Sequence, residues 1–192
     1  MLLTHRSRGL RPAARWALVG ALGLLAAACG KNRVFLDVDV LSFMDQASLV
    51  HPYDAPALVP FSARLDSISV NLIEGFQDFG EAQSATLDVE VEYDNATGQG
   101  SSRFTIYFSD DPATTFATPP VAVLDVDLAP GTVSTGSLQI PADARVLDLF
   151  TSKRFWMGVD MEWNPTGVEP LQGTLRITEI RVRLVSTLDL FG

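Results

Sequence analysis

Cysteine and histidine are scarce in this sequence of 192 residues. It contains one cysteine, Cys29, and two histidines, His5 and His51. A single cysteine excludes a disulfide within the chain and a cysteine-rich zinc site. Two histidines, one of them close to the N-terminus, leave little material for histidine-based catalysis.

Basic residues are also few relative to acidic ones. The chain has 14 Lys and Arg residues against 23 Asp and Glu, a net charge of −9 and a pI near 4.5. Binding to nucleic acid requires clustered Lys and Arg, so we expect no nucleic-acid partner. The hydrophobic fraction of 47% is that of a folded protein. The length predicts a single globular domain.

The short motifs that mark common catalytic sites are missing as well. No serine stands in a Gly-x-Ser-x-Gly context, no Gly-rich phosphate loop follows a predicted strand, and no His-Glu-x-x-His occurs. We therefore expect a protein that is not an enzyme and that needs no cofactor. An enzyme, the least favoured alternative, would have to rely on carboxylates and hydroxyls.

The N-terminal segment is basic first and apolar afterwards. No acidic residue precedes Asp37, and the stretch Trp16–Ala28 holds 13 uncharged residues. That length fits the core of a signal peptide and falls short of the roughly 20 residues of a spanning helix. The basic part contains four arginines: Arg6, Arg8, Arg11 and Arg15. The order of charge and apolarity predicts a signal peptide over residues 1–28.

Three alanines, at positions 26, 27 and 28, stand immediately before Cys29. With Leu25 they make the run Leu-Ala-Ala-Ala-Cys, which resembles the cleavage region of a bacterial lipoprotein signal peptide. The resemblance implies a diacylglyceryl group on the Cys29 thiol, cleavage before that residue and acylation of the new amine. Gly30, where inner-membrane lipoproteins carry Asp, implies the outer membrane. An ordinary secretion signal and a retained membrane anchor are the alternatives.

A short tether follows the predicted lipid attachment site. We assign residues 29–33 to the lipidated cysteine and its tether, because strand-like sequence begins at Val34. Four extended residues reach only about 14 Å, so the domain would lie close to the lipid headgroups. Removal of the signal leaves 14 − 4 = 10 basic residues against 23 acidic ones, a net charge of −13. Anionic lipid repels such a domain, so the acyl chains would hold it at the membrane.

From Val34 onward, apolar and polar residues alternate with a period of two. In the run Thr86–Tyr93 the odd positions are apolar or aromatic and the even ones from Asp88 on are acidic. This alternation is typical of half-buried strands. We predict strands at Val34–Met44, Leu65–Ile73, Thr86–Tyr93, Arg103–Phe108, Val121–Leu128, Val133–Ile140, Arg154–Trp163 and Leu175–Leu188. The pattern over residues 34–192 predicts an all-β fold, an antiparallel β-sandwich of immunoglobulin-like or jelly-roll-like type.

The last predicted strand contains a change of phase. Its first apolar residues, Leu175 and Ile177, stand at odd positions, whereas those from Ile180 onward stand at even ones. One extra residue near Thr178 and Glu179, a β-bulge, would restore a single buried face. Two separate strands joined at this point are the alternative.

Four connecting segments have recognisable sequences. Ala129–Thr132 carries Pro and Gly at the central positions of a type II turn, which favours antiparallel pairing of its flanking strands. Tyr93–Arg103 is polar and Gly-rich, and predicts a loop. Ala142–Lys153 has helical spacing after Pro141 and predicts a short helix that covers one end of the sandwich. Phe43–Phe61 contains three prolines and predicts an apolar loop over the edge of the core.

Three predicted strands share an acidic alternation that could bind Ca²⁺. Each places two carboxylates on one face, about 6.8 Å apart. The alternative is a solvated outer face, with the three strands apart in the sheets. Since like charges opposite one another are destabilising, we expect at least one of these strands beside Arg181 and Arg183. The three runs are Leu36–Val40, Leu87–Val91 and Leu124–Leu128.

Other polar residues that could bind a ligand have structural explanations in the sequence. Asp110 and Asp111 precede Pro112, as turn-forming acids do. Asn95-Ala96-Thr97 matches a glycosylation acceptor, and we interpret it as part of a loop. His51 has no second histidine near it in the sequence, so we expect it to pack in a loop or at the surface.

Aromatic residues could line a surface that binds sugar or peptide. On the 154–163 strand the odd positions, including Phe155 and Trp163, share a face that we assign to the core. Trp156 lies on the opposite face with Asp160 and Glu162, and we expect the Phe43–Phe61 loop to cover it. Tyr107 is the remaining candidate aromatic.

Taken together, the sequence predicts a cell-envelope lipoprotein anchored through Cys29 in the outer membrane. We expect a non-catalytic interaction or structural module whose partners are the membrane, through covalent lipid, and an envelope protein. The alternative is a β-sandwich that binds carbohydrate or Ca²⁺. The sequence does not determine the oligomeric state.

Overall fold

Strands make up most of the computed structural model, which describes residues 32–71, 82–151 and 154–188. The described strands are β1 Asn32–Asp39, β2 Val50–Ala55, β3 Phe61–Asn71, β4 Ala82–Thr97, β5 Gly100–Ser109, β6 Ala122–Leu128, β7 Thr132–Pro141, β8 Arg154–Pro165 and β9 Leu171–Leu188. Helix α1 spans Ala144–Thr151, and 3₁₀ turns span Val40–Phe43, Gln46–Leu49 and Thr115–Ala117. The predicted signal peptide and Cys29 lie outside the described residues.

Two antiparallel sheets face each other, as the alternation predicts. The five-stranded sheet has the order β2-β9-β4-β7, with β1 also paired to β9, and the four-stranded sheet has the order β3-β8-β5-β6. Each of the connections β2–β3, β4–β5, β6–β7 and β8–β9 passes from one sheet to the other. If β1 is set aside, each sheet contributes four strands, and two four-stranded sheets joined by these connections make a jelly roll. The predicted antiparallel β-sandwich is confirmed, and of its two proposed types the topology selects the jelly roll.

The core lies between the inward faces of the two sheets. On β8 the side chains of Phe155, Met157, Val159, Met161 and Trp163 are all 1% exposed or less, which confirms their assignment to the core. Tyr53 of β2 stacks on Trp163 across the sandwich, with ring centroids 5.3 Å apart. Full burial of an aliphatic or aromatic side chain stabilises the fold by about 1.5–3 kcal/mol.

The predicted bulge is present in β9, which is one continuous strand. In its register with β4, Glu90 lies opposite Glu179 and the next residue, Val91, lies opposite Ile177. Thr178 is therefore the extra residue, and its hydroxyl donates a hydrogen bond of 3.1 Å to a Glu90 carboxylate oxygen. Ile177 and Ile180 are both buried as a result. The bulge lets one strand keep a single buried face across the change of phase.

Two predicted connections differ from the structure. Gly131 has a φ of 68°, as the predicted turn requires, but the strands on either side of it, β6 and β7, lie in opposite sheets and do not pair with each other. The prediction of a loop over Tyr93–Arg103 is wrong, because β4 continues to Thr97 and β5 begins at Gly100. Gly98 makes the tight turn with a φ of 72°, and a Cβ there would collide with the Pro170 carbonyl.

The predicted helix is confirmed with a later start. Asp143 caps its N-terminus, since an Asp143 carboxylate oxygen accepts a hydrogen bond of 2.9 Å from the Val146 amide. Pro141 ends β7 and does not lie in the first turn of the helix. Val146 and Phe150 are buried, and α1 contacts β4, β5 and β8. It therefore covers strands of both sheets.

The segment Phe43–Phe61 contains a strand where a loop was predicted. Val50–Ala55 pairs with the first residues of β9, an edge position in which Pro52 is tolerated. The preceding β1 ends at Asp39, before the predicted Met44, because the Asp39 carboxylate accepts from the Leu41 amide at 3.1 Å and starts a 3₁₀ turn. The tip of the segment is not packed over the core, since Leu58 is 64% exposed.

Candidate functional site

An open groove of about 560 Å³ lies on the outer face of the four-stranded sheet. We call it the outer groove. Residues of β3, β5 and β8 form its floor and walls, with one further residue from the turn before β3. Its lining consists of Pro60, Phe61, Ser62, Ala63, Arg64, Arg103, Thr105, Tyr107, Asp160 and Glu162.

The strand register brings these side chains together in two rows across the sheet. Glu162 of β8 lies opposite Ser62 of β3 on one side and opposite Arg103 of β5 on the other. Asp160 lies in the same way between Arg64 and Thr105. Alternate residues of a strand point to the same face, so both acids of β8 point outward, as predicted.

Both arginines of the outer groove are held by carboxylates. The Arg64 guanidinium lies 2.7 Å from Asp160, and Arg103 donates to both carboxylate oxygens of Asp125 at 2.8 and 3.2 Å. The hydrogen bond from Arg103 lowers the pKa of Asp125, and the same bond raises the pKa of the arginine. Bidentate pairing fixes the plane of a guanidinium as well as its position.

A loop folds back over the outer face at one end of the outer groove. Phe116, in the 3₁₀ turn Thr115–Ala117, lies on Gly158, where a Cβ would stand only 2.7 Å from the ring. Its ring meets Tyr107 edge to face at 5.5 Å, and the Arg64 guanidinium stands 4.2 Å from the ring centroid. A glycine at 158 is therefore what allows the loop to lie so close to the sheet.

Polar contacts hold that loop in place. The Asp111 carboxylate accepts a hydrogen bond of 2.9 Å from the Ala113 amide, which confirms Asp111 as a turn-forming acid. Arg145 of α1 donates to the carbonyl oxygens of Phe108 and Pro119 at 3.1 and 3.0 Å. The helix thus fixes both ends of the loop that borders the outer groove.

The three acidic strands lie apart, and none of them faces another directly. Two of them, β1 and β4, flank β9, whereas the third, β6, belongs to the other sheet. Arg183 of β9 stands 3.2 Å from Asp88 of β4, and Arg181 stands 3.5 Å from Asp37 of β1. The expected pairing with β9 is confirmed. Within residues 32–71, 82–151 and 154–188, no three or more His, Cys, Asp or Glu side chains are grouped to hold a metal ion.

Asn95 has a structural role, and the prediction that it lies in a loop is wrong. Its side chain is fully buried near the end of β4. The amide oxygen accepts from the Tyr53 hydroxyl at 3.0 Å, and the amide nitrogen donates to the carbonyls of Gly98 and Ala129, both at 2.9 Å. A buried side chain with three partners cannot accept a glycan.

Two tyrosines beside this amide are buried with their hydroxyls paired. Burial raises the pKa of Tyr53 far above its usual value, and it raises the pKa of Tyr93 to about 12. The Tyr93 hydroxyl lies 2.8 Å from the Ser102 hydroxyl. These groups connect β2, β4 and β5 inside the core and do not reach the outer groove.

The remaining candidates are distributed over the fold. The His51 ring nitrogen Nε2 lies 2.6 Å from the Ser48 carbonyl oxygen, in the edge strand β2. Trp156 is half-buried on the outer face of β8, with the Arg154 guanidinium 5.4 Å from its ring centroid. Coverage of Trp156 by the segment 43–61 stays a prediction. Cys29 lies outside the described residues.

Several residues of the outer groove were not selected from the sequence. Arg64 falls just before the predicted start of β3, although the alternation of Phe61-Ser62-Ala63-Arg64 already has a period of two. Its outward position could have been predicted from that pattern. Phe116 had no comparable signal, because its place depends on how the loop folds back over the sheet.

No protein-family model matches this chain, and no curated protein sequence does. Among solved structures, a cellulose-specific carbohydrate-binding module, CBM28, is similar with a TM-score of 0.38 and 8% identity, covering 68% of this chain and 71% of that one. The C-terminal CBM6 of LamC, a marine laminarinase from Zobellia galactanivorans, has a TM-score of 0.32 and 11% identity, covering 78% of this chain and 98% of that one.

A viral structure is similar to the same degree. Infectious bursal disease virus of the Gt strain gives a TM-score of 0.40 and 12% identity, covering 82% of this chain and 36% of the viral chain. This chain therefore spans about a third of that viral chain. Likenesses this distant carry no conclusion about function. In the part of the chain that the structure describes, no helix is long and apolar enough to cross a membrane.

Proposed function

We propose that this chain is a lipid-anchored, non-catalytic interaction module of the bacterial cell envelope, attached through Cys29. The observation that carries the proposal is the position of that cysteine. It is the only one in the sequence, it follows three alanines at the end of an uncharged stretch, and a folded strand, β1, includes residues from Asn32 onward. The lipid site would then stand directly before the domain.

The length of the tether supports a domain held close to the bilayer. β1 already includes Asn32 and Arg33, two residues that were expected to belong to the tether. Three residue steps separate Cys29 from Asn32 and can reach at most about 11 Å. Gly30 in place of Asp supports the outer membrane as the location.

The outer groove supports an interaction function better than a catalytic one. Its arginines are already paired with carboxylates, and the side chains of Arg64 and Arg103 are 55% and 54% exposed. Catalytic groups work in sites that exclude water and leave a reactive group poised for the substrate. Paired and solvated charges on an open face suit binding instead. We therefore propose the outer groove as the interaction surface.

The anchor is tested by growing cells that express the full chain with labelled palmitate. Wild-type protein is expected to carry label and to lose residues 1–28, whereas Cys29→Ser is expected to carry none and to remain unprocessed. Gly30→Asp is the matched control, because it changes the residue next to the attachment site and keeps the thiol. It is expected to be labelled fully and, in a host with two membranes, to move to the inner one.

Two results would overturn the anchor. One is full labelling of Cys29→Ser. The other is an intact mass of the wild-type protein that shows an unmodified cysteine or cleavage at another position. Neither result depends on what the outer groove binds, so the test of the anchor is independent of the surface.

A further inference from the structure

We infer that the outer groove binds a neutral, polyhydroxylated ligand, a segment of an oligosaccharide chain. The inference rests on the proposed function in one respect only, that this face of the domain is its interaction surface. It does not depend on lipid at Cys29. It rests on the hydrogen-bonding groups of the floor, the pairing of the charges and the tyrosine ring at one end of the outer groove.

Side-chain atoms supply the hydrogen-bonding groups on the floor. The floor lies on β8 and β5, which are central strands with a neighbour on each side, so the ladders on both sides use their backbone groups. Three kinds of side-chain group remain for a ligand: the Ser62 hydroxyl, the guanidinium nitrogens that are not bonded to a carboxylate, and the exposed Glu162 carboxylate. One oxygen of Glu162 also accepts from the Asn164 amide at 3.2 Å. Carboxylates accept, guanidinium groups donate and hydroxyls do both. A sugar hydroxyl donates and accepts as well, so it can pair with any of them.

The charges of the outer groove favour an uncharged ligand. Arg64 pairs with Asp160 at 2.7 Å, and Arg103 pairs with Asp125 at 2.8 Å. An anionic ligand would have to displace a carboxylate from an arginine, and a cationic ligand at Glu162 would meet Arg103 directly opposite in the β5–β8 register. A sugar hydroxyl can form hydrogen bonds with the remaining lone pairs of the carboxylate or the remaining N–H groups of the arginine without breaking the ion pair. Paired charges therefore act here as fixed donors and acceptors, which serve orientation and specificity.

An aromatic ring stands at one end of the outer groove and a carboxylate at the other. Tyr107 lies opposite Gly158 in the β5–β8 register, and Glu162 lies four positions further along β8. Four positions correspond to about 14 Å along the strand. A single sugar ring is shorter than this. A chain of several rings could place one ring against Tyr107 and the hydroxyls of another beside Glu162.

The Tyr107 ring is held before any ligand arrives, because it packs edge to face on Phe116 at 5.5 Å. Phe61 points to the other face of the sheet, where its ring packs on the buried Trp163 at 5.7 Å. Binding then orders few side chains, and this lowers its entropic cost. The apolar C–H face of a pyranose can pack on the Tyr107 ring, while its hydroxyls reach the polar floor.

A peptide fits this surface less well. Peptides that bind β-sheets add as a strand along an exposed edge and use its free backbone groups. The floor of the outer groove lies inside the sheet and offers none. We therefore choose an oligosaccharide and leave a peptide ligand as an outcome of the test.

The experiment uses full-length, processed protein in detergent micelles and isothermal titration calorimetry. The probes are the neutral hexasaccharides cellohexaose, maltohexaose and xylohexaose, with hexagalacturonate as the acidic probe and an uncharged Gly-Ser hexapeptide. At least one neutral hexasaccharide is expected to bind. Tyr107→Ala removes a stacking ring and Glu162→Gln removes a charged acceptor, and each is expected to weaken binding about tenfold.

The control is Phe35→Ala, which removes an aromatic ring that is 74% exposed on β1, in the other sheet. Its affinity is expected to stay within about twofold of wild type. Because Tyr107 packs on Phe116, circular dichroism checks that its variant is folded, and Glu162→Gln serves if it is not. The inference is wrong if no neutral hexasaccharide binds, if neither groove variant weakens binding, or if only the acidic probe or the peptide binds. Those results would leave the anchor at Cys29 untouched.

Discussion

Asn95 shows how much a single buried side chain contributes to this fold. Its amide contacts the Tyr53 hydroxyl of β2, the turn at Gly98 and the β6–β7 turn at Ala129. These three segments are distant in sequence and meet at one end of the sandwich. A buried donor or acceptor that loses its partner costs about 1–3 kcal/mol. One amide therefore keeps three polar groups satisfied at once.

We predict that Asn95→Ala lowers the free energy of unfolding by about 2–4 kcal/mol, because it leaves the Tyr53 hydroxyl and two carbonyls without their partner. Urea denaturation measures the change. Asn164→Ala is the control, since Asn164 is half-buried and makes one hydrogen bond of 3.2 Å, to Glu162. It is expected to change stability by at most about 0.5 kcal/mol. Equal losses for the two variants would refute the role of Asn95.

The buried tyrosines predict a loss of stability at high pH. Burial raises the pKa of Tyr93 to about 12 and raises that of Tyr53 as well, whereas both return to about 10 on unfolding. The folded state therefore keeps protons that the unfolded state releases. The resulting stabilisation is complete below pH about 10 and is lost as pH rises through the folded pKa.

Each such tyrosine steepens the fall by up to about 1.4 kcal/mol per pH unit between pH 10 and 12. We therefore expect Tyr93→Phe to be less stable at pH 8, because the hydrogen bond to Ser102 is gone, and to lose stability less steeply above pH 10. Urea unfolding at a series of pH values measures both effects. Parallel curves for wild type and variant would contradict the assignment.

At the scale of the elements, the buried face of β9 depends on the extra residue Thr178. The bulge at Thr178 joins two stretches whose apolar residues alternate in opposite phase. A shift of one residue moves every following side chain to the other face of a strand. Without the bulge, the buried positions from Ile180 to Leu184 would turn outward.

Deletion of Thr178 is accordingly predicted to abolish cooperative unfolding. Thr178→Ala is the matched control, because it keeps the length of the strand and removes only the exposed hydrogen bond to Glu90. It is expected to unfold cooperatively, with a loss of about 0.5–1 kcal/mol. Urea unfolding monitored by tryptophan fluorescence distinguishes the two. A cooperative transition in the deletion variant would show that β9 accommodates the shift in another way.

Sequence periodicity was sufficient to predict most strands, the bulge and the core face of β8. These features depend on which side of the backbone each residue occupies, and alternation records that directly. The edge strand β2 was missed because Pro52 interrupts the pattern, and an edge position tolerates what an interior one does not. The end of β4 was missed because Asp94 and Asn95 read as loop residues, although burial with paired hydrogen bonds keeps Asn95 in the strand.

Only part of the outer groove could be predicted from the sequence. Asp160 and Glu162 were placed on the outer face correctly, because their strand alternates regularly. Arg103 and Arg64 come beside them through pairings with β8, between residues about 60 and 100 positions apart. Phe116 comes to Gly158 through a loop that folds back. Neither the pairing of distant strands nor the path of this loop can be predicted from the local sequence pattern.

At the scale of the whole molecule, the order of strands differs sharply from the order in the sequence. Strand β9 follows all the other described strands, yet it lies inside the five-stranded sheet, between β4 on one side and β1 and β2 on the other. Val50 of β2 pairs with Arg176 of β9. The sheet that contains β1, β2 and β4 therefore cannot be completed before β9 is present.

The strand order determines when the five-stranded sheet can form during synthesis. Long-range pairing slows folding, because bringing distant segments together costs conformational entropy before their contacts stabilise the fold. A chain that emerges from the ribosome with its N-terminus first lacks the central partner of β1, β2 and β4 until residues 171–188 have been made. Until then the five-stranded sheet cannot be completed, and this suits the export proposed above, since a secretion channel admits an unfolded polypeptide.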